Sequence, residues 1–104
     1  MPRTAFTADG AVAVGPYSHA VQAGEFYYLS GQTPLDSATG KLVEGDIAAQ
    51  TEKCFENLFK VLAAAGLTEA DVVKANVFLT DMGNFAAMNA IYATKFSAPY
   101  PARS

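Results

Sequence analysis

DIAAQTEKCFENLFKVLAAAG, residues 46–66, decides how the rest of the chain must be arranged. Ile47, Thr51, Cys54, Phe55, Leu58, Val61, Leu62 and Ala65 recur at spacings of three and four, the period of a helix with one apolar stripe. Asp46 can accept hydrogen bonds from the first free N–H groups, Gly66 suits the left-handed position after the last turn, and Glu56 lies four residues before Lys60. Downstream the period changes to two. Val73, Ala75, Val77 and Leu79 alternate with Lys74, Asn76, Phe78 and Thr80, which predicts a strand over 73–80. Upstream, residues 18–22 and 26–30 read as antiparallel strands turned at Gly24, within a strand-like stretch over 11–28 that includes Val12 and Val14. The turn formers of residues 34–40 predict a surface loop between that hairpin and the helix. A second helix is expected over 84–96. It carries Phe85, Met88, either Ile91 or Tyr92, and Phe96 on one side, and Pro99 and Pro101 stop it. Alternation of strands and helices predicts an α/β (α+β) fold. Its expected unit is a right-handed parallel crossover from 26–30 through the first helix to 73–80.

A chain of 104 residues, 51% hydrophobic and 12% aromatic, supports one domain with one core, spanning 1–104. Seven Lys+Arg against ten Asp+Glu give a net charge of -3, which offers little counterion release for gripping a phosphate backbone. Nucleic acid is therefore not expected as the main partner. No window approaches the ~18 consecutive apolar residues of a membrane span, and no signal peptide is evident at the N-terminus. A cytoplasmic protein with no membrane partner is expected. After the second helix the sheet still needs a returning strand, and Pro101-Ala102-Arg103-Ser104 should lead into it. The domain is thus expected to be C-terminally incomplete, either because the chain continues or because another chain completes the sheet. The first alternative is favoured, since an open central strand would expose backbone donors and acceptors.

Few residues invite chemistry. His19 is the sole histidine and has no second ligand at helical or hairpin spacing, so a local hydrogen bond explains it better than a metal site or a triad. Cys54 has no second cysteine and lies on the apolar stripe, where a thiol behaves as a small hydrophobe. Gly15, Gly24, Gly31 and Gly40 are scattered and make no phosphate-cradling loop. Asp36, Glu44, Asp46, Glu52 and Glu56 fall in turns or on the polar helix face, where solvation accounts for them. Arg103 follows a proline at the mouth of an expected strand, and its planar fork matches a carboxylate. Taken alone it reads as a solvated surface arginine.

Four stretches together change that reading: Gly15-Pro16-Tyr17-Ser18, Ser30-Gly31-Gln32, Val77-Phe78-Leu79-Thr80-Asp81-Met82 with Phe85 and Asn89, and Pro101-Ala102-Arg103-Ser104. They resemble the RidA family, also called YjgF or L-PSP, from about Thr4 to the last residue. The resemblance implies a chorismate-mutase-like subunit, with two helices packed on one face of a mixed sheet and here lacking its last strands. It implies a homotrimer with clefts between neighbours. It also implies an activity without metal or cofactor: deamination of 2-iminobutanoate and 2-iminopropanoate, reactive enamine/imine intermediates, to 2-ketoacids and ammonia. On the same grounds Arg103 would hold the substrate carboxylate, Tyr17 would line the cleft, and Ser30, Gly31 and Asn89 would complete its polar wall. The family's glutamate that positions the attacking water lies in the missing strands, so no residue is assigned as catalytic.

Two other readings compete. One is a trimer that binds ketoacids or related small carboxylates without turnover, using the same Arg103. The other, endoribonuclease or translation inhibitor, is attached to the family by name, and the acidic balance argues against it.

Overall fold

A computed structural model describes residues 2–10 and 15–104. Three strands form an antiparallel sheet in the order β1 (Thr4–Phe6), β2 (Ala20–Ala23) and β3 (Phe26–Leu29). The β2–β3 hairpin matches the sequence reading. Ala23 faces Phe26 across a two-residue turn in which Gly24 takes φ 63, a conformation that a side chain would strain. The Ser30 N–H donates to the His19 carbonyl at 3.0 Å and carries the ladder one residue further. β1 was not foreseen, because three residues are too few to show a period; it pairs through Thr4↔Gln22 and Phe6↔Ala20. The expected strand residues Val12 and Val14 lie outside the described residues.

Helix α1 (Ile47–Ala64) forms as its caps demand. Asp46 Oδ1 accepts from the Ala49 N–H at 3.0 Å. At the other end Gly66, at φ 76, lets Leu67 N–H reach the Leu62 carbonyl at 2.8 Å while its own N–H reaches that of Ala63 at 3.0 Å, closing a Schellman turn. Asn57, buried on this helix, donates from Nδ2 to the carbonyls of Leu35 (2.9 Å) and Thr33 (3.3 Å), pinning the start of the predicted loop to the helix. The loop itself is turned around Asp36, whose Oδ1 accepts from the N–H groups of Ala38 (2.8 Å) and Thr39 (3.1 Å).

β4 (Lys74–Ala75), α2 (Phe85–Lys95) and β5 (Ala102–Arg103) follow. β4 and β5 pair in parallel, Lys74 with Ala102 and Ala75 with Arg103. Hydrogen bonds from Ala102 N–H to Val73 and from Val77 N–H to Ser104 extend the contact to either side. Two expectations are corrected here. The strand predicted over 73–80 is hydrogen-bonded to β5 and its end along 73–77, and no ladder is described for Phe78, Leu79 and Thr80. The parallel crossover runs through the second helix, β4–α2–β5, rather than from β3 through α1 to β4. β3 pairs with β2 alone, and among the described residues the two ladders are not joined. Periodicity shows which segments are strands but not which edge each one takes.

The architecture is the α+β, chorismate-mutase-like one, with both parallel and antiparallel pairing and two packed helices. α1 lies at the centre of its packing. Val61 meets Ala8 and Ala20 on the antiparallel side, while Phe55 joins Met88, Tyr92 and Phe96 against α2. Phe55 meets Tyr92 and Phe96 edge-on, both with ring centroids at 5.8 Å, so α2 is held by aromatic contact. No helix among the described residues is long and apolar enough to cross a membrane.

Candidate functional site

Phe85, Asn89 and Tyr92 stand at positions i, i+4 and i+7 of α2, which places them along one face of the helix. Beta-strand β5 runs beside that face and delivers Arg103 to it. Arg103 Nη1 donates to Asn89 Oδ1 at 2.7 Å. Its guanidinium carbon lies 4.6 Å from the Tyr92 ring centroid and 5.5 Å from that of Phe85. Both rings are within cation–π range. Tyr92 is buried, Asn89 half-buried and Phe85 partly exposed, so the guanidinium rests on a covered floor with its outer side open.

Among the described residues no carboxylate pairs with Arg103; the ion pairs are Lys53 and Lys60 with Glu56, and Lys95 with Glu52. Asn89 occupies one of the five guanidinium N–H groups. The remaining coplanar donors and the positive charge match the geometry of a planar carboxylate.

The other residues singled out in the sequence lie on a different part of the chain. Tyr17 precedes β2 and is 44% exposed. Ser30 ends the hairpin, and its Oγ donates to the Ser18 carbonyl at 2.6 Å. Gly31 follows, exposed, with open space where a Cβ would stand. No hydrogen bond or ion pair among the described residues links Ser30 or Gly31 to Arg103. Within the chain the structure thus joins Arg103 to Asn89 and shows no hydrogen bond from Ser30 or Gly31 to either.

Sequence reasoning missed the two rings. Phe85 figured only as a family landmark and a core-side residue, and Ile91 and Tyr92 were left as alternatives for the buried position. Tyr92 fills it, and Ile91 is half-buried. The i, i+4, i+7 spacing of Phe85, Asn89 and Tyr92 was the available signal. It went unread because buried aromatics on a helix normally mean core.

His19 is buried and accepts the Ala8 N–H on Nδ1 at 3.0 Å, which fits the structural role expected of it. Cys54 is half-buried with its Sγ 3.5 Å from the Gln32 carbonyl, and burial pushes its thiol pKa up, away from the reactive thiolate. The Thr39 and Ala38 N–H groups hold Asp36 below the usual carboxylate range, which stabilises the loop without making a site.

The chain is similar to known proteins over nearly all of its length. The profile of the family described as Endoribonuclease L-PSP matches residues 7–104. Protein DfrA of Myxococcus xanthus is 50% identical over 107 residues, covering 100% of this chain and 82% of that protein. The 2-iminobutanoate/2-iminopropanoate deaminase of Mus musculus is 42% identical over 98 residues, covering 94% of this chain and 73% of that protein. The crystal structure of RidA from an Antarctic Psychrobacter superposes with a TM-score of 0.91 at 45% identity, covering 97% of this chain and 82% of that one.

Proposed function

The chain belongs to the L-PSP family, also called RidA or YjgF, and from that premise we propose that it is an enamine/imine deaminase acting on 2-iminobutanoate and 2-iminopropanoate. The observation that carries the reading is Arg103, held by Asn89 and paired with no carboxylate among the described residues. A 2-iminoacid presents a planar carboxylate next to an electrophilic C=N carbon. Held by the carboxylate, that carbon stands at a fixed distance from Arg103, and water is the only co-reactant. Water adds its oxygen to the carbon and one proton to the nitrogen, giving a carbinolamine; the hydroxyl proton then passes to the nitrogen as the C–N bond breaks and C=O forms, and 2-ketoacid and ammonia leave. Positioning supplies much of such a rate, because a bound near-attack geometry replaces a bimolecular encounter.

The cleft is shared between subunits of a homotrimer in this reading, with Tyr17, Ser30 and Gly31 of one copy facing Arg103 of the next. That accounts for the absence of a described hydrogen bond from Ser30 or Gly31 to Arg103 within a single chain. Binding of ketoacids without turnover is the second reading; it uses the same Arg103 and needs no group that activates water.

The test is calorimetric titration of 2-ketobutanoate together with ammonia release from freshly generated 2-iminobutanoate. Arg103→Ala is expected to weaken binding at least about ten-fold, the worth of a charge-assisted hydrogen-bond pair at a partly open site, with the melting temperature unchanged. Arg103→Lys should recover only part of it, since an ammonium cannot offer two parallel donors. Wild-type affinity in Arg103→Ala would sink the proposal. Ligand binding with no ammonia release would select the non-catalytic reading.

A further inference from the structure

We infer that Tyr92 is a positioning residue of the site, its ring serving as the platform that fixes the plane of the Arg103 guanidinium. The inference rests on the reading of Arg103 as the carboxylate receptor and assigns a role to a residue which that reading leaves in the core. A guanidinium on a flexible stem needs two constraints before its donors point one way: its plane must be set, and so must its rotation within that plane. Asn89 Oδ1, accepting from Nη1 at 2.7 Å, sets the rotation. The Tyr92 ring, with its centroid 4.6 Å from Cζ, sets the plane.

Tyr92 can do this because it cannot move. Phe96 holds its ring from 5.0 Å and Phe55 from 5.8 Å, and the residue is 5% exposed. Phe85, 5.5 Å from Cζ and 40% exposed, is the looser of the two rings beneath the charge. The Tyr92 hydroxyl oxygen is buried and has no hydrogen-bond partner among the described residues. An unpartnered buried hydroxyl contributes nothing to holding the ring, so the π face and its aromatic clamp carry the function. With the plane set before the ligand arrives, the carboxylate docks in one orientation and the adjacent C=N carbon has one position.

The experiment replaces Tyr92 with Phe and then with mono-, di- and trifluorinated phenylalanines, which weaken the negative π face in steps at nearly constant shape. It is carried out in the wild-type and Arg103→Ala backgrounds. Tyr92→Phe keeps the ring without the hydroxyl and is the reference point of the series. From Phe to trifluoro-Phe the dissociation constant should rise progressively by about two- to ten-fold, with the melting temperature flat, and KM for the iminoacid should rise with it. In Arg103→Ala the series should have no effect. A flat series in the presence of Arg103, while Arg103→Ala loses binding, overturns the role of Tyr92 and leaves the proposed function standing. Losses that follow the melting temperature and persist in Arg103→Ala make the ring merely structural and overturn it equally. Retained binding in Arg103→Ala removes the proposed function itself.

Discussion

At the scale of single residues, His19 holds the fold, whereas Arg103 is proposed to face a ligand. His19 is 5% exposed and accepts the N–H of Ala8, itself 3% exposed, across eleven residues of sequence. Removing the acceptor leaves that N–H buried and unpaired. His19→Leu is therefore expected to destabilise the protein by about 1–3 kcal/mol in a urea titration, while 2-ketobutanoate affinity stays at the wild-type value. A loss of affinity at unchanged stability would move His19 into the site. Arg103 was legible because its Pro-Ala-Arg-Ser setting is specific, and its contact with Asn89 places both in one cluster. Tyr92 was not legible. A tyrosine on an apolar helix face has the same sequence signature whether its ring only fills space or also carries a cation.

At the scale of elements, α1 was the most readable part of the chain, since period, N-cap and C-terminal glycine agreed. Asp46 is exposed, so its contribution is almost wholly the capping bond to Ala49. Asp46→Ala should cost about 1 kcal/mol and Asp46→Asn considerably less, measured by thermal melts. Equal stability in all three proteins would mean that the helix start is held by packing of Ile47 instead. The pairing of strands was less readable. β4 and β5 are two residues each, below the length at which alternation can be told from chance, and their partnership is fixed by how α2 packs on α1 through Phe55, Tyr92 and Phe96. That contact lies far apart in sequence. The alternation of elements called for one parallel crossover, and only the packing of α2 determined that it would be β4–α2–β5.

At the scale of the whole molecule, several large apolar side chains stand exposed. Val73, just before β4, is 70% exposed, and on the segment that joins β4 to α2 Phe78 is 91% and Met82 69% exposed. Phe26 and Tyr28, two residues apart and therefore on one face of β3, are 61% and 64% exposed. Clusters of this kind mark surfaces that other polypeptide covers, and we propose that a second copy of this chain covers these. The same partner would bring the hairpin bearing Ser30 and Gly31 to an Arg103 that none of their described contacts reaches within the subunit. A homotrimer meets both requirements, because cyclic closure covers the same patches on every copy and creates equivalent clefts. Light scattering at micromolar concentration is expected to give three times the 10.9 kDa chain mass. Phe78→Asp, which buries a carboxylate in that contact without touching the subunit core, should shift the protein toward monomer. If the cleft is shared, the monomer should lose ketoacid binding while its α-helical circular dichroism persists. A monomeric wild type, or a monomeric Phe78→Asp that binds as tightly as the trimer, would place the whole receptor within one subunit and remove Tyr17, Ser30 and Gly31 from it.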